Sequence, residues 1–471
     1  MIKNHIYNSI LRRISYSLTA DQEKLLSLLS GFSLQENERE LLLVKGYAGT
    51  GKTTMISSFI QALNEMEIRS VLLAPTGRAA KVLSSYAGFP AMTIHKKIYR
   101  QQSAKDAFGT FALDKNMHTN TYFIVDEASM LSDHTQEASV FGTGNLLDDL
   151  IRYVYNDKRC KLILVGDTAQ LPPVGQFMSL SMNKSFLESF NVDVIEHELR
   201  EVVRQARESG ILTNASAVRE LIVNENCVQP KFQCAGFKDI VRIAGTELTE
   251  AITEAYSRFG KDDTIVICRS NKIANKYNNG IRGGVLARDE ELSAGDYMMV
   301  VKNNYFWMED KQKADFIANG DIVMIKRVKK YVDLYGFRFA EADIILPDYD
   351  HQELHVKLLL DTIYAETPAL TSEQNKSLFY TIAEDFADET SKKKQFAKVK
   401  ESPYFNALQV KFAYAVTCHK SQGGQWKAVF VDQSFFRDDM LTPEYLKWLY
   451  TAITRTTERL YLVNFGDIFF D

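Results

Sequence analysis

The segment Val44-Lys45-Gly46-Tyr47-Ala48-Gly49-Thr50-Gly51-Lys52-Thr53-Thr54 constrains this chain more than any other stretch. It follows the apolar run Leu41–Val44, which reads as a buried strand, and precedes Met55–Leu63, whose apolar spacing suits a helix. Gly-x-x-x-x-Gly-Lys-Thr between strand and helix is the context of a phosphate-binding loop. Gly46, Gly49 and Gly51, with Ala48, Thr50 and Thr54 around them, let backbone N–H groups converge on phosphate oxygens, where a Cβ would obstruct the approach. Lys52 would extend to the β- and γ-phosphates and the Thr53 hydroxyl would ligate Mg²⁺. The pattern predicts binding of a nucleoside triphosphate in an α/β fold.

At 471 residues the chain exceeds one hydrophobic core, and about two to four domains are expected. With 45% hydrophobic and 25% charged residues, the composition excludes wholesale disorder. A net charge of −4 gives no global positive field, which leaves room only for a local basic cleft. The five cysteines are dispersed without a Cys-x-x-Cys pair, so neither a zinc site nor a disulfide framework is indicated, and a reducing compartment is expected. The first residues run into Arg12-Arg13 without an apolar core, and no run of 18 apolar residues follows. These features predict a soluble, cytoplasmic protein without a membrane partner.

Along the chain, Thr19 and Gln22 form a capping-box pattern at the start of a helix. The Gln22 amide, a donor and an acceptor, is alternatively suited to reading adenine. A strand at Ser70–Ala74 ends in Pro75-Thr76-Gly77-Arg78-Ala79-Ala80-Lys81, polar and basic at the strand's carboxyl edge, where α/β sheets bind ligands. Met92–Lys97 carries His95, either a surface histidine or a ligand contact, and residues 99–120 suggest a small β insertion. Tyr122–Val125 is a strand ending in Asp126-Glu127, the Walker B arrangement: Asp126 serves Mg²⁺ and Glu127 the attacking water. Lys161–Gly166 is a further strand, and Gln170 beyond it is placed to feel the γ-phosphate. This doubly wound domain is expected to end near residue 190. A second α/β pattern follows, with a strand at Asp263–Cys268, a β-rich region over 295–360 that includes the hairpin dipeptide Asn319-Gly320, and a helical, lysine-rich stretch over 365–404. The α/β pattern resumes from Val410 to Val463. The lysines at 392–400 read either as a solvated helix face or as a nucleic-acid contact.

With these segments in order, residues 18–465 resemble the superfamily 1 helicases, and within them the RecD-like branch that moves 5′ to 3′. The segments that carry the resemblance are Gly46–Thr54, Ala74–Ala80, Thr93–Lys96, Asp126–Ser129, Gly166–Val174, Leu199–Gln205, Val416–Gly424 and Tyr450–Arg455. It implies two RecA-like parallel-sheet domains: residues 1–190, with a strand-splitting pin at 99–120, then 191–300 continued by 405–471, with an SH3-like β-rich insertion at 301–404. ATP and Mg²⁺ would sit between the domains. Gln22 would take the adenine-reading position, Gln170 would sense the γ-phosphate, and Gly423 would border the nucleotide. Arg204 and Arg455 would cross from the second domain to stabilise transferring phosphate. Pro75, Thr76, Thr93 and His95 on the first domain, and Asn271, Thr417 and His419 on the second, would grip single-stranded or forked DNA, with the chain working as a monomer. Tyr99, Phe108 and Phe111 are wedge candidates in the pin, or else its core packing. The chain departs from larger RecD-type proteins in its short stretch before Gln22, shows no nuclease cluster, and has no motif counterpart at 392–400. Two other classes, a P-loop kinase and a non-catalytic nucleic-acid-binding subunit, would leave Gly166–Val174 and Tyr450–Arg455, or Lys52, Glu127 and Arg455, without a purpose.

Overall fold

A computed structural model describes residues 2–32, 39–101, 111–132, 142–156, 159–203, 208–308, 316–349, 351–389 and 391–470. The first domain contains β1 (Glu40–Gly46), β2 (Ser70–Ala74), β3 (Ala91–Thr93), β4 (Tyr99–Gln101), β5 (Phe111–Leu113), β6 (Tyr122–Val125), β7 (Lys161–Gly166) and β8 (Asp193–Leu199). Its helices are α1 (Ile2–Leu11), α2 (Ala20–Phe32), α3 (Lys52–Glu65), α4 (Gly77–Ala87), α5 (Ile94–Ile98), α6 (Leu146–Val154) and α7 (Lys184–Glu188). Six strands pair in parallel in the order β3-β2-β6-β7-β1-β8, while β4 and β5 form a separate two-stranded ribbon.

The continuous apolar runs of β1, β6 and β7 follow from burial on both faces. Leu41 and Leu43 turn toward Leu147 and Leu150 of α6, whereas Leu42 and Val44 turn toward Ile6, Leu25 and Phe59 of α1, α2 and α3. The first sheet passes the boundary expected at residue 190. Strand β8 pairs with β1 from Glu40↔Asp193 to Gly46↔Leu199, because Val194 and Leu199 add to the two apolar layers of the first domain.

The second domain begins with α8 (Gly210–Val223), β9 (Ile240–Ile243), α9 (Leu248–Phe259), β10 (Thr264–Cys268) and α10 (Asn271–Gly280). The chain then enters a closed barrel of β11 (Tyr297–Val300), β12 (Ile322–Leu334), β13 (Phe337–Leu346), β14 (Gln352–Leu359) and β15 (Leu408–Phe412). The barrel thus takes its first and last strands from outside 301–404, since closure requires β11 to pair with β15, Met298 opposite Phe412. Helices α11 (Ser372–Glu384) and α12 (Lys392–Glu401) lie between β14 and β15. Val399 faces inward while Lys392, Lys393 and Lys394 face solvent, so the basic stretch is the outer face of a packed helix.

The second sheet closes with β16 (Ala415–Thr417), α13 (Cys418–Ser421), β17 (Trp426–Asp432), α14 (Pro443–Ile453) and β18 (Thr456–Val463), in the parallel order β16-β10-β17-β18-β9. The architecture is mixed α/β: two RecA-like parallel sheets and a small closed barrel. The barrel also touches the first domain. Lys81 pairs with Asp348 at 2.6 Å, the Lys96 ammonium lies 4.2 Å from the Tyr349 ring centre, and Asp321 packs against Gly77 at the start of α4. Among the described residues, no helix is long and apolar enough to cross a membrane.

Candidate functional site

The loop between β1 and α3 turns through left-handed Gly49 (φ 75°) and Gly51 (φ 82°). It lines a cavity of about 570 Å³ between the two RecA-like domains. Ala48, Gly49, Gly51, Lys52, Thr53 and Thr54 border this cavity; Gly46 and Thr50 stand behind it. Thr50 is fully buried and its hydroxyl donates to the Tyr47 carbonyl at 2.8 Å, which braces the loop rather than meeting a ligand. The Lys52 ammonium donates to the same carbonyl at 2.8 Å and lies 4.0 Å from Asp167.

Asp126 and Glu127 form the opposite wall. Burial, then the neighbouring Glu127 charge, pushes the Asp126 carboxyl up to about 6. Glu127 sits at φ 52°, a left-handed conformation uncommon for a side chain of this kind and typical of functional sites. Its amide donates to the Asp126 carboxylate at 2.9 Å. Adjacent carboxyls at the mouth of a phosphate loop form a donor set suited to a divalent cation. No group of three His, Cys, Asp or Glu residues able to hold a metal occurs among the described residues. Thr53 and Asp126 are the protein oxygens on the cavity wall that would be available to a divalent cation bound together with phosphate.

The far wall comes from the second domain. Arg455 is 3% exposed, donates to the Thr451 carbonyl at 3.1 Å, and approaches Glu127 to 3.6 Å. Gly423 and Gln425 line the same cavity. Gln170 also borders it, with a buried carbonyl oxygen that has no hydrogen-bond partner. The domains are tied beneath it: the Tyr450 hydroxyl donates to Asp167 at 2.8 Å and accepts from the Ala48 amide at 2.8 Å. Thr451 accepts from the Leu171 amide at 2.8 Å, and Gln422 donates to the Leu171 carbonyl at 2.7 Å.

Comparison with known proteins agrees with this geometry. Residues 18–225 match a model described as an AAA domain, and residues 412–463 match a UvrD-like helicase C-terminal domain. The ATP-dependent DNA helicase dda of Enterobacteria phage T4 is 24% identical over 418 residues, covering 85% of this chain and 88% of that protein. The ATP-dependent RecD2 DNA helicase of Deinococcus radiodurans is 22% identical over 459 residues, covering 96% of this chain but 50% of the relative. Both matched models fall on the motif-bearing ends of the chain, in the order the motifs require. The chain belongs to the superfamily 1 helicases, in the RecD-like branch. It is accordingly an ATP-hydrolysing enzyme. A solved structure of Pif1 helicases unwinding forked double-stranded DNA aligns over 97% of this chain and 94% of its own, at 15% identity and a TM-score of 0.47.

The structure of this helicase departs from the sequence expectation at Gln22. Its side chain is fully buried and does not border the cavity. The amide donates to the Thr50 carbonyl at 2.8 Å and accepts from the Thr19 amide at 3.1 Å, so the capping-box alternative is the one observed. A Cβ on Gly51 would lie 2.5 Å from the Gln22 amide nitrogen. Gln22 is thus a prop beneath the phosphate loop, not a group presented to a base. Arg204 and the wedge candidate Phe108 lie outside the described residues. Of the other two wedge candidates, Tyr99 donates to buried Asp149 at 2.8 Å, and Phe111 packs 4.5 Å from the Tyr305 ring, so both belong to core packing.

The residues expected to grip nucleic acid gather at two strand exits. Pro75 and Thr76 follow β2 and Thr93 ends β3, paired through Ala74↔Thr93; Asn271 follows β10, Thr417 ends β16 and His419 follows it, paired through Cys268↔Thr417. Thr76 and Thr93 are helix N-caps, accepting from Ala79 and Lys96 amides. Thr93 is buried. Burial pushes the His95 imidazole down to about 4, so it is neutral near pH 7 and offers no cation to phosphate. Asn271 donates to the Glu366 carbonyl at 3.2 Å. The sequence reading missed Asp167, Tyr450, Thr451 and Gln422, although all lie within its motif segments; their pairing across the cleft leaves no local pattern.

Proposed function

We propose that this chain is a DNA helicase that translocates 5′ to 3′ along single-stranded DNA and unwinds the duplex ahead of it. The observation that supports the reading most directly is Arg455 of the second domain, 3.6 Å from Glu127 of the first, across the cavity walled by Lys52 and Thr53. A guanidinium there can stabilise charge spread over the transferring phosphoryl oxygens, an effect worth about 10³–10⁵ in rate. Lys52 binds the β- and γ-phosphates, Glu127 orients the attacking water, and Gln170 reports the γ-phosphate. Thr53 and Asp126 would hold Mg²⁺, which neutralises phosphate charge.

Because the two walls belong to different domains, ATP draws them together and loss of the γ-phosphate contact lets them part. Thr76 at one strand exit and Thr417 and His419 at the other would alternate their hold on the DNA backbone through sequence-independent contacts. The described walls of the site all come from one chain, which supports action as a monomer on single-stranded or forked DNA. ATPase turnover should rise many-fold with single-stranded DNA. A duplex with a 5′ tail should unwind while its 3′-tailed counterpart stays intact. Turnover indifferent to nucleic acid would refute the motor, and preference for the 3′ tail would refute the direction.

A further inference from the structure

Arg78 stands in the first turn of α4 and extends out of the first domain. Its guanidinium carbon lies 4.0 Å from the centre of the Trp426 ring, and one terminal nitrogen donates to the Gln425 carbonyl at 3.3 Å. The Nε is shut off from solvent and has no acceptor, and burial depresses the pKa of the group. Carboxylates nearby are taken elsewhere: Asp348 pairs with Lys81 and Asp263 with Lys427. From the last turn of α4, the Tyr86 hydroxyl donates to the Gln425 side-chain oxygen at 2.7 Å. Both ends of one first-domain helix thus hold two consecutive second-domain residues.

The loop ahead of Gln425 is shaped for this approach. Gly423 is left-handed (φ +74°), and a Cβ there would come 2.8 Å from the Ala79 Cβ. On Gly424 a Cβ would lie 2.5 Å from the Trp426 ring and 2.9 Å from the Arg78 Nε. Trp426 in turn is joined to Arg455: its amide donates to the Arg455 carbonyl at 2.9 Å, and the Gly424 carbonyl accepts from the Arg455 guanidinium at 3.5 Å. Leaving a half-buried guanidinium, its Nε shut off from solvent, on a ring and a carbonyl without a carboxylate is costly unless the contact serves something.

We propose that Arg78 is a positioning residue for Arg455: its clasp on Trp426 sets the strand and loop that aim the Arg455 guanidinium across the cleft. The inference rests on the reading of Arg455 given above. The test uses the full chain with Arg78→Met, Arg78→Lys, Trp426→Leu, Arg78→Met with Trp426→Leu, and Arg455→Ala, measuring DNA-stimulated kcat, KM for ATP and the dissociation constant for ADP. Arg78→Met should lower kcat by about three- to thirty-fold, the range of a desolvated cation–π contact, and leave ADP affinity within about two-fold, as expected when ground-state binding is untouched. Arg78→Lys, which keeps a cation over the ring, should recover most of the turnover. Trp426→Leu should match Arg78→Met, and the double variant should be no worse than either, because the two share one contact. Full kcat in Arg78→Met, equal loss in Arg78→Lys, or additive losses in the double variant would overturn the clasp. If Trp426→Leu does not fold, the Met and Lys variants of Arg78 decide alone. An active Arg455→Ala would overturn the functional reading; an inactive Arg455→Ala beside a fully active Arg78→Met would overturn the clasp only.

Discussion

Asp321, on the barrel loop that meets α4, carries a charge in a place ill suited to one. It is 1% exposed, with one oxygen accepting from the Ala318 amide at 2.7 Å and the Tyr349 hydroxyl at 2.6 Å. Its other oxygen is buried without a hydrogen-bond partner. Burial pushes its pKa from the ordinary 3.8 to about 6, against the opposing pull of the Tyr349 and Ala318 hydrogen bonds and of Lys96, and with the help of Asp348. The folded chain therefore keeps this proton at pH values where the unfolded chain has released it. Stability contributed at this site falls as pH rises from about 4 to about 6 and is level above that. Two pKa units correspond to about 3 kcal/mol. Asp321→Asn keeps an acceptor for both hydrogen bonds and removes the titration; whatever the new amide costs, it shifts the variant by a constant. The stability of Asp321→Asn relative to the parent should thus be greatest at pH 7.5 and shrink by about 2.5 kcal/mol by pH 4, with its midpoint near pH 5. Paired urea unfolding curves across that range measure the difference. A gap independent of pH would show that Asp321 titrates normally and that its burial carries no such cost.

Other outcomes follow from the cleft. Lys52→Ala should abolish hydrolysis through loss of phosphate binding, whereas Arg455→Ala should bind ATP normally and lose turnover by about 10³-fold or more; nucleotide titration beside steady-state rates separates them. Tyr450→Phe leaves the Ala48 amide and buried Asp167 without their shared hydroxyl, costing about 1–3 kcal/mol of domain closure, read as a matching loss of turnover at saturating DNA. Gln22→Ala should weaken use of ATP, GTP and CTP alike, since the amide braces the loop and meets no base; a loss confined to ATP would contradict this.

The phosphate loop, the Asp126-Glu127 strand end and the second-domain Arg455 were legible because each is a local pattern: an apolar run, then a polar turn. Strand pairing was not. Val192 and Val194 look like the start of a new α/β unit, yet β8 joins the first sheet because β1 offers an unpaired edge flanked by apolar layers. Gln22 illustrates a further limit. The same three-residue spacing from Thr19 suits a cap and a base contact, and only the position of the Thr50 carbonyl decides between them. The clasp of Arg78 on Trp426 joins positions far apart in the chain, and no spacing rule connects them.

The strand order also sets the gearing of the proposed motor. Nucleotide chemistry sits at the end of β1, while the exit expected to hold DNA sits at β2 and β3, the outer side of the same sheet. Four strand spacings separate β1 from β3, or about 19 Å at about 4.8 Å each. Pivoting about the nucleotide, a rotation of about 10° sweeps that outer edge through about 3 Å, close to the rise of one nucleotide, about 3.4 Å per strand. A protein with its grip beside the phosphate loop would need a far larger swing for the same advance. If DNA is held at that exit as proposed, the distance between fuel and track would be set by sheet topology, and stride length would follow from strand order.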